Sequence, residues 1–183
     1  MTTPAAAPFA DAVHVAGFAN ASFYAAELFR ESFAIDFPIP RDNCGLAIPT
    51  PPRNWRQYVA FYKWPDGRIE AVGFCNWIRF ENVYLEGGMC VRRNFYRRLP
   101  PEHWLECRAR GGIAQMTMEA AARELTDCLA WFGYCGDRKA ALVDARVGYR
   151  PTRHKYIIVK WFADLPDAEA RALEDRIAAI GPF

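Results

Sequence analysis

The chain has three histidines in 183 residues, no C-x-x-C pair among its six cysteines, and a net charge of only +2. Without paired thiols or a histidine at zinc spacing, no metal site is expected. The balance of 23 basic against 21 acidic residues excludes a bulk electrostatic attraction to nucleic acid, so any basic character that matters is local. The stretch MTTPAAAPFADAVHVAGF carries no lysine or arginine and no apolar block suited to a signal or a membrane span. These absences predict a soluble, cytoplasmic protein with no membrane contact. The cysteines, at positions 44, 75, 90, 107, 128 and 135, include two set in apolar runs, VGFCNW and GGMCV. They are expected to be reduced structural thiols. Internal repeats are missing too.

What is present is apolar and aromatic: 52% hydrophobic and 15% aromatic residues, enough for a substantial core. A single domain over 1–183 is expected, with an Ala/Pro-rich, flexible 1–15. The pattern NASFYAAELFRESF over 20–33 reads as an amphipathic helix with Phe23, Leu28 and Phe33 near helical spacing. Five prolines between Pro38 and Pro52 make the next stretch an extended loop. RQYVAFYKW (56–64) and RIEAVGFCNWIRF (68–80) flank Pro-Asp-Gly at 65–67, which predicts a hairpin.

The organising stretch runs from Val83 to Ala122. VYLEGGMCV reads as a third antiparallel strand whose Gly87-Gly88 pair predicts a bulge. A basic loop with six arginines between Arg92 and Arg110 follows, and a helix opens on Gly111 and Gly112. Free N–H groups and the helix dipole at such a start suit phosphate. DCLAWFGYC (127–135) reads as a buried parallel strand. Asp137 is the expected N-cap of a helix, RKAALVDARV, that stops at Gly148. KYIIVKWF (155–162) is a last strand, and a terminal helix follows, started near Asp164 or Asp167, with Leu173, Ile177 and Ile180 on one face. The fold expected is α/β or α+β: a mixed, mostly antiparallel sheet of about six strands flanked by helices.

This order, from Arg56 to Phe162, resembles the GNAT superfamily of acyl-CoA N-acyltransferases. The resemblance rests on the bulged strand GGMCV, on the turn RARGGIA, similar to the family's R-x-x-G-x-G/A, and on AALVDARVGYR, similar to the helix that ends in Gly-Phe. It implies acetyl-CoA or another acyl-CoA as co-substrate. The backbone of Met89, Cys90 and Val91 would hold the pantetheine arm, and Arg108, Arg110, Gly111, Gly112 and Ala114 would lie at the pyrophosphate. Asp137 stands where many members carry an asparagine, and Val143 where a tyrosine acid is usual.

Transfer of an acyl group to an amine needs a base for the amine and polarisation of the thioester carbonyl, which backbone N–H groups at a bulge can supply. Glu86 is the candidate base, with a pKa raised by burial, against the alternative of an outward-facing strand carboxylate. Tyr84, Tyr134 and Tyr149 are candidate acids, Tyr134 foremost, against the alternative of core aromatics. His14, His103 and His154 are isolated and receive no role. The acceptor is expected to be a small-molecule or peptide amine. Nucleic acid is an unlikely partner, and a homodimer is one option for a state the sequence leaves open. An alternative function is a non-catalytic CoA- or ligand-binding module on the same scaffold.

Overall fold

A computed structural model describes residues 8–37 and 54–183. The proline-rich loop and Cys44 lie outside the described residues. Among the described residues seven strands form one sheet in the order β1-β2-β3-β4-β5-β7-β6: β1 (Val13–Phe18), β2 (Trp55–Lys63), β3 (Ile69–Phe80), β4 (Val83–Val91), β5 (Ala130–Tyr134), β7 (Ile157–Trp161) and β6 (Arg150–Pro151). Every neighbouring pair is antiparallel except β4 and β5. The expected meander is present. Its first turn closes as Trp64 N–H donates to the Arg68 carbonyl at 2.8 Å and Gly67 N–H donates to the Trp64 carbonyl at 2.8 Å.

Three expectations need correction. Of the stretch 1–15 expected to be flexible, the described residues form α1 (Phe9–Ala12) and the start of β1, which pairs along its whole length with β2 and raises the strand count among the described residues from about six to seven. The basic loop contains two helices, α3 (Phe95–Arg98) and α4 (Pro101–Ala109). Proline at the first helical position pre-sets φ without losing a hydrogen bond, and His103 and Cys107, four apart, turn the same face into the core. In α2 (Ser22–Phe33) the buried residues are Ala25, Leu28 and Phe29, whereas Phe23 is 88% exposed and Phe33 is also exposed. The stripe sits at i, i+3 and i+4, and the phenylalanine spacing misread its phase.

The two faces of the sheet have separate cores. On one, α5 (Ile113–Glu124) and α6 (Arg138–Val147) cover Tyr58, Trp77, Tyr84 and Trp131, while α1 and α4 cover Tyr62 and Val72. On the other, α2 packs on Val59, Phe74 and Cys90, and α7 (Asp167–Ala178) places Leu173 and Ile177 on Val83, Leu85 and Phe132. Ile180, expected on that face, lies beyond the helix and is exposed. The five described cysteines are free thiols.

The basic stretch is tied down by acids. Arg92, its side chain only 10% exposed, pairs with Glu27 at 2.8 Å and Glu31 at 2.9 Å on α2 and with Glu70 at 3.2 Å on β3. Arg98 also pairs with Glu70, at 2.7 Å. These two arginines fasten helix to sheet and are not gathered at the start of α5. Removing a buried cation strands its partners without compensation. Arg92→Ala should therefore lower unfolding stability by about 3 kcal/mol in urea denaturation, whereas Glu27→Ala, at a carboxylate 66% exposed, should cost under about 1 kcal/mol.

Candidate active site

β4 and β5 run side by side only from the Val83–Ala130 pair to the Glu86–Gly133 pair. On the β3 side, Trp77 stands opposite Glu86 and Cys75 opposite Met89, so Gly87 and Gly88 together face Asn76. This is the expected bulge. Gly88 has φ +130°, a conformation that favours glycine, and a Cβ there would lie 3.2 Å from the Phe29 ring. One extra residue shifts the side-chain alternation, so Glu86 and Met89 share the face covered by α5 and α6 while Cys90 turns to α2. Beyond Glu86 the two parallel strands part. Among the described residues, Gly87–Val91 has no strand partner on the β5 side.

A cavity of about 350 Å³ opens into this wedge. Phe29, Phe33, Ile35, Ile158 and Phe183 give it an apolar wall; Glu86 from β4 and Asp144 from α6 give it two carboxyl groups. Asp144 is only 3% exposed. Its Oδ1, Glu86 Oε2 and Tyr149 Oη are buried with no hydrogen-bond partner among the described residues. Glu86 as a whole residue is partly exposed, through the cavity it lines, but Oε2 is closed off. Burial, reinforced by the charge of Asp144, pushes the Glu86 carboxyl well above the usual range, and burial likewise raises Asp144. The Tyr149 hydroxyl acts the other way on Glu86, favouring its ionised form, without closing a full hydrogen bond.

Of the residues singled out from sequence, Glu86, Tyr134, Met89 and Asp137 come together on this cavity. Tyr134 is partly exposed at the rim, its ring against Tyr156 and Phe183. The Asp137 carboxylate is committed to capping α6, accepting from Lys139 N–H at 2.9 Å and Ala140 N–H at 2.8 Å. Cys90 is buried under α2, and Val91 turns to the core beneath α1 and α4.

Arg108, Arg110, Gly111, Gly112 and Ala114 lie at the α4–α5 junction and do not line the cavity. There Arg110 pairs with Glu106 at 2.7 Å and Arg108 lies over the Trp104 ring. Three of the amides at this helix start are already taken, contrary to expectation. Gly111 N–H donates to the Arg108 carbonyl, Gly112 N–H to the Cys107 carbonyl, and Ile113 N–H to Tyr96 Oη at 3.2 Å.

Val143 packs into the core, and it is Asp144, one position on, that reaches the cavity. Sequence reasoning missed it, although a signal was available. In α6, Ala140, Asp144 and Val147 recur at i, i+4 and i+7 on the inward face, and a carboxyl on that stripe is out of place in a purely structural helix.

No family model matches this sequence, and no curated protein matches it either. Solved structures do. The ribosomal-protein-S18-alanine N-acetyltransferase of Escherichia coli superposes with a TM-score of 0.53 over 85% of this chain and 97% of its own, at 8% identity. The chain has the GNAT fold. Two further structures superpose with lower TM-scores. Nourseothricin acetyltransferase gives a TM-score of 0.47 at 15% identity, over 83% of this chain and 99% of its own. An E. coli protein described as an N-acetyltransferase, solved with coenzyme A bound, gives 0.49 at 12% identity, over 81% and 98%.

The raised carboxyls set a sign for pH dependence. A group that binds its proton more tightly when folded contributes stability below its unfolded pKa, 4.5 for Glu86, and that contribution is lost as pH rises through the folded value. Glu86→Gln should therefore gain on wild type as pH rises from about 5 to about 8, by about 1.4 kcal/mol for each unit by which the folded pKa exceeds the unfolded one. Urea unfolding of both proteins across that range measures the difference.

Proposed function

We propose that the chain is an acyl-CoA-dependent N-acyltransferase that passes an acyl group, acetyl in the simplest case, from CoA to an amine by direct attack. The observation that carries this reading is the wedge between β4 and β5, where an unpaired strand edge opens onto a cavity holding unpartnered carboxyls. An exposed edge accepts an extended amide-bearing chain as another strand would, which fits the pantetheine arm along the backbone from Gly87 through Met89 to Cys90 and Val91. Arg108 and Arg110 would meet the pyrophosphate at the start of α5. Because Tyr96 already accepts from Ile113 N–H, the amides offered there are those of Ala114 and Gln115, which follow it.

Backbone N–H groups at the bulge would polarise the thioester carbonyl. Glu86, in its ionised form, would accept the proton of the attacking amine, and its buried setting matches a base working near neutral pH. The aromatic wall of Phe29, Phe33 and Phe183 favours an acceptor or acyl group with apolar surface. Tyr134, at the rim, is placed to contact what enters.

Calorimetry with CoA and acetyl-CoA tests the reading. Micromolar binding is expected, weakened roughly tenfold in an Arg108→Ala/Arg110→Ala double variant, as loss of charge-assisted phosphate contacts predicts. Glu86→Gln should keep CoA affinity within about twofold and lower amine acylation, read by mass spectrometry, at least about a hundredfold. Failure of both ligands to bind would overturn the reading; binding with no acylation of any amine would leave a binding module.

A further inference from the structure

We propose that Asp144 and Glu86 form a carboxyl–carboxylate pair that shares one proton and serves as the two-ended acid–base couple of this site. The part concerning catalysis rests on the acyl-transfer reading above; the shared proton does not. Glu86 comes from the last residue of β4 still paired with β5, and Asp144 from the inward stripe of α6, so two different elements aim carboxyls at one cavity. Each has a buried oxygen with no partner among the described residues.

What surrounds them decides the charge state. No arginine, lysine or histidine is among the described residues lining the cavity. The titratable groups that face the pair are Cys75 from β3, Tyr134 from β5, Cys135 and Asp137 from the segment leading into α6, and Tyr149 after it. Asp137 is held by its cap, and the Cys135 thiol, 3.4 Å from the Asp137 carbonyl, also acts on Asp144 and favours its ionised form against the effect of burial. Two buried carboxylates with no cation cannot both stay ionised, so one proton remains with the pair at neutral pH.

A pair in this state suits acyl transfer in both directions of proton flow. Attack of the amine nitrogen on the thioester carbon forms the C–N bond and breaks the C–S bond. The ionised carboxylate takes the proton that nitrogen loses, and the protonated partner gives its own to the departing CoA sulfur. The pair holds one proton before and after, on the opposite carboxyl, and a transfer between the two restores the starting form. No other oxidant, reductant or acid is required. The pair, rather than either carboxyl alone, thus fills the acid role usual at the position of Val143, with Asp144 contributed from the neighbouring position of the helix.

Carboxyl ¹³C NMR of the full chain, labelled at Glu and Asp, tests the pair without any substrate. Glu86 should titrate above the ordinary carboxylate range. Its midpoint should fall in Asp144→Asn, and that of Asp144 should fall in Glu86→Gln; using both variants keeps the test valid if one fails to fold. Midpoints that ignore the other substitution, or two ordinary titrations, overturn the proposal whatever the activity. In turnover, each single variant should lose one limb of the pH profile of kcat/KM, and the double variant should be no slower than the worse single one, as expected of residues acting as a unit. An Asp144→Asn enzyme with an unchanged pH profile would remove Asp144 from the chemistry. Absence of acylation in wild type, with mutually dependent midpoints, would sink acyl transfer and leave the shared proton standing.

Discussion

The parting of β4 and β5 is the constraint on which the rest of this molecule depends. Two parallel strands that stayed paired would satisfy each other's backbone and close the sheet. The extra residue at Gly87–Gly88 bends β4 away after Glu86. That one insertion leaves hydrogen-bonding groups without a ladder, makes room for a cavity, and fixes which side chains face it by resetting the alternation of the strand. The helices on both faces are arranged around the gap: α6 contributes a carboxyl from one side, and α2 an aromatic wall from the other.

Much of this was legible in the sequence where local chemistry and tertiary structure agree. Pro-Asp-Gly between two β-branched runs gave a hairpin, a glycine pair in a strand gave a bulge, and Asp137 and Gly148 bounded α6 as written. The errors have a common physical origin in partners distant along the chain. β1 is held by antiparallel pairing with β2, about forty residues away, and nothing in its short sequence announces that ladder. α4 buries only His103 and Cys107, too narrow a stripe to stand out beside its charges.

The site was read in part. Glu86 stands out in the sequence because it lies beside the glycine pair that forms the bulge. Asp144 is hidden because the resemblance points to Val143, one position earlier, although an acidic residue on an apolar helical stripe is itself a signal. The arginines show the opposite failure. A run of positive charge invites a ligand, but Arg92 and Arg98 each face acids from other elements, and only the folded structure brings Glu27, Glu31 and Glu70 to them.

The Arg92 cluster has a consequence for what the cavity can admit. Arg92, directly after β4, pairs with Glu27 and Glu31 on α2 and with Glu70 on β3, and so ties the helix that carries Phe29 to the strands beside the open edge. A guest entering the wedge therefore meets Phe29 already in place and loses little free energy to ordering that side of the protein. On the acyl-transfer reading, discrimination on this side would rest on shape: a group too bulky for the gap would have to displace α2 and disturb the Arg92 ion pairs.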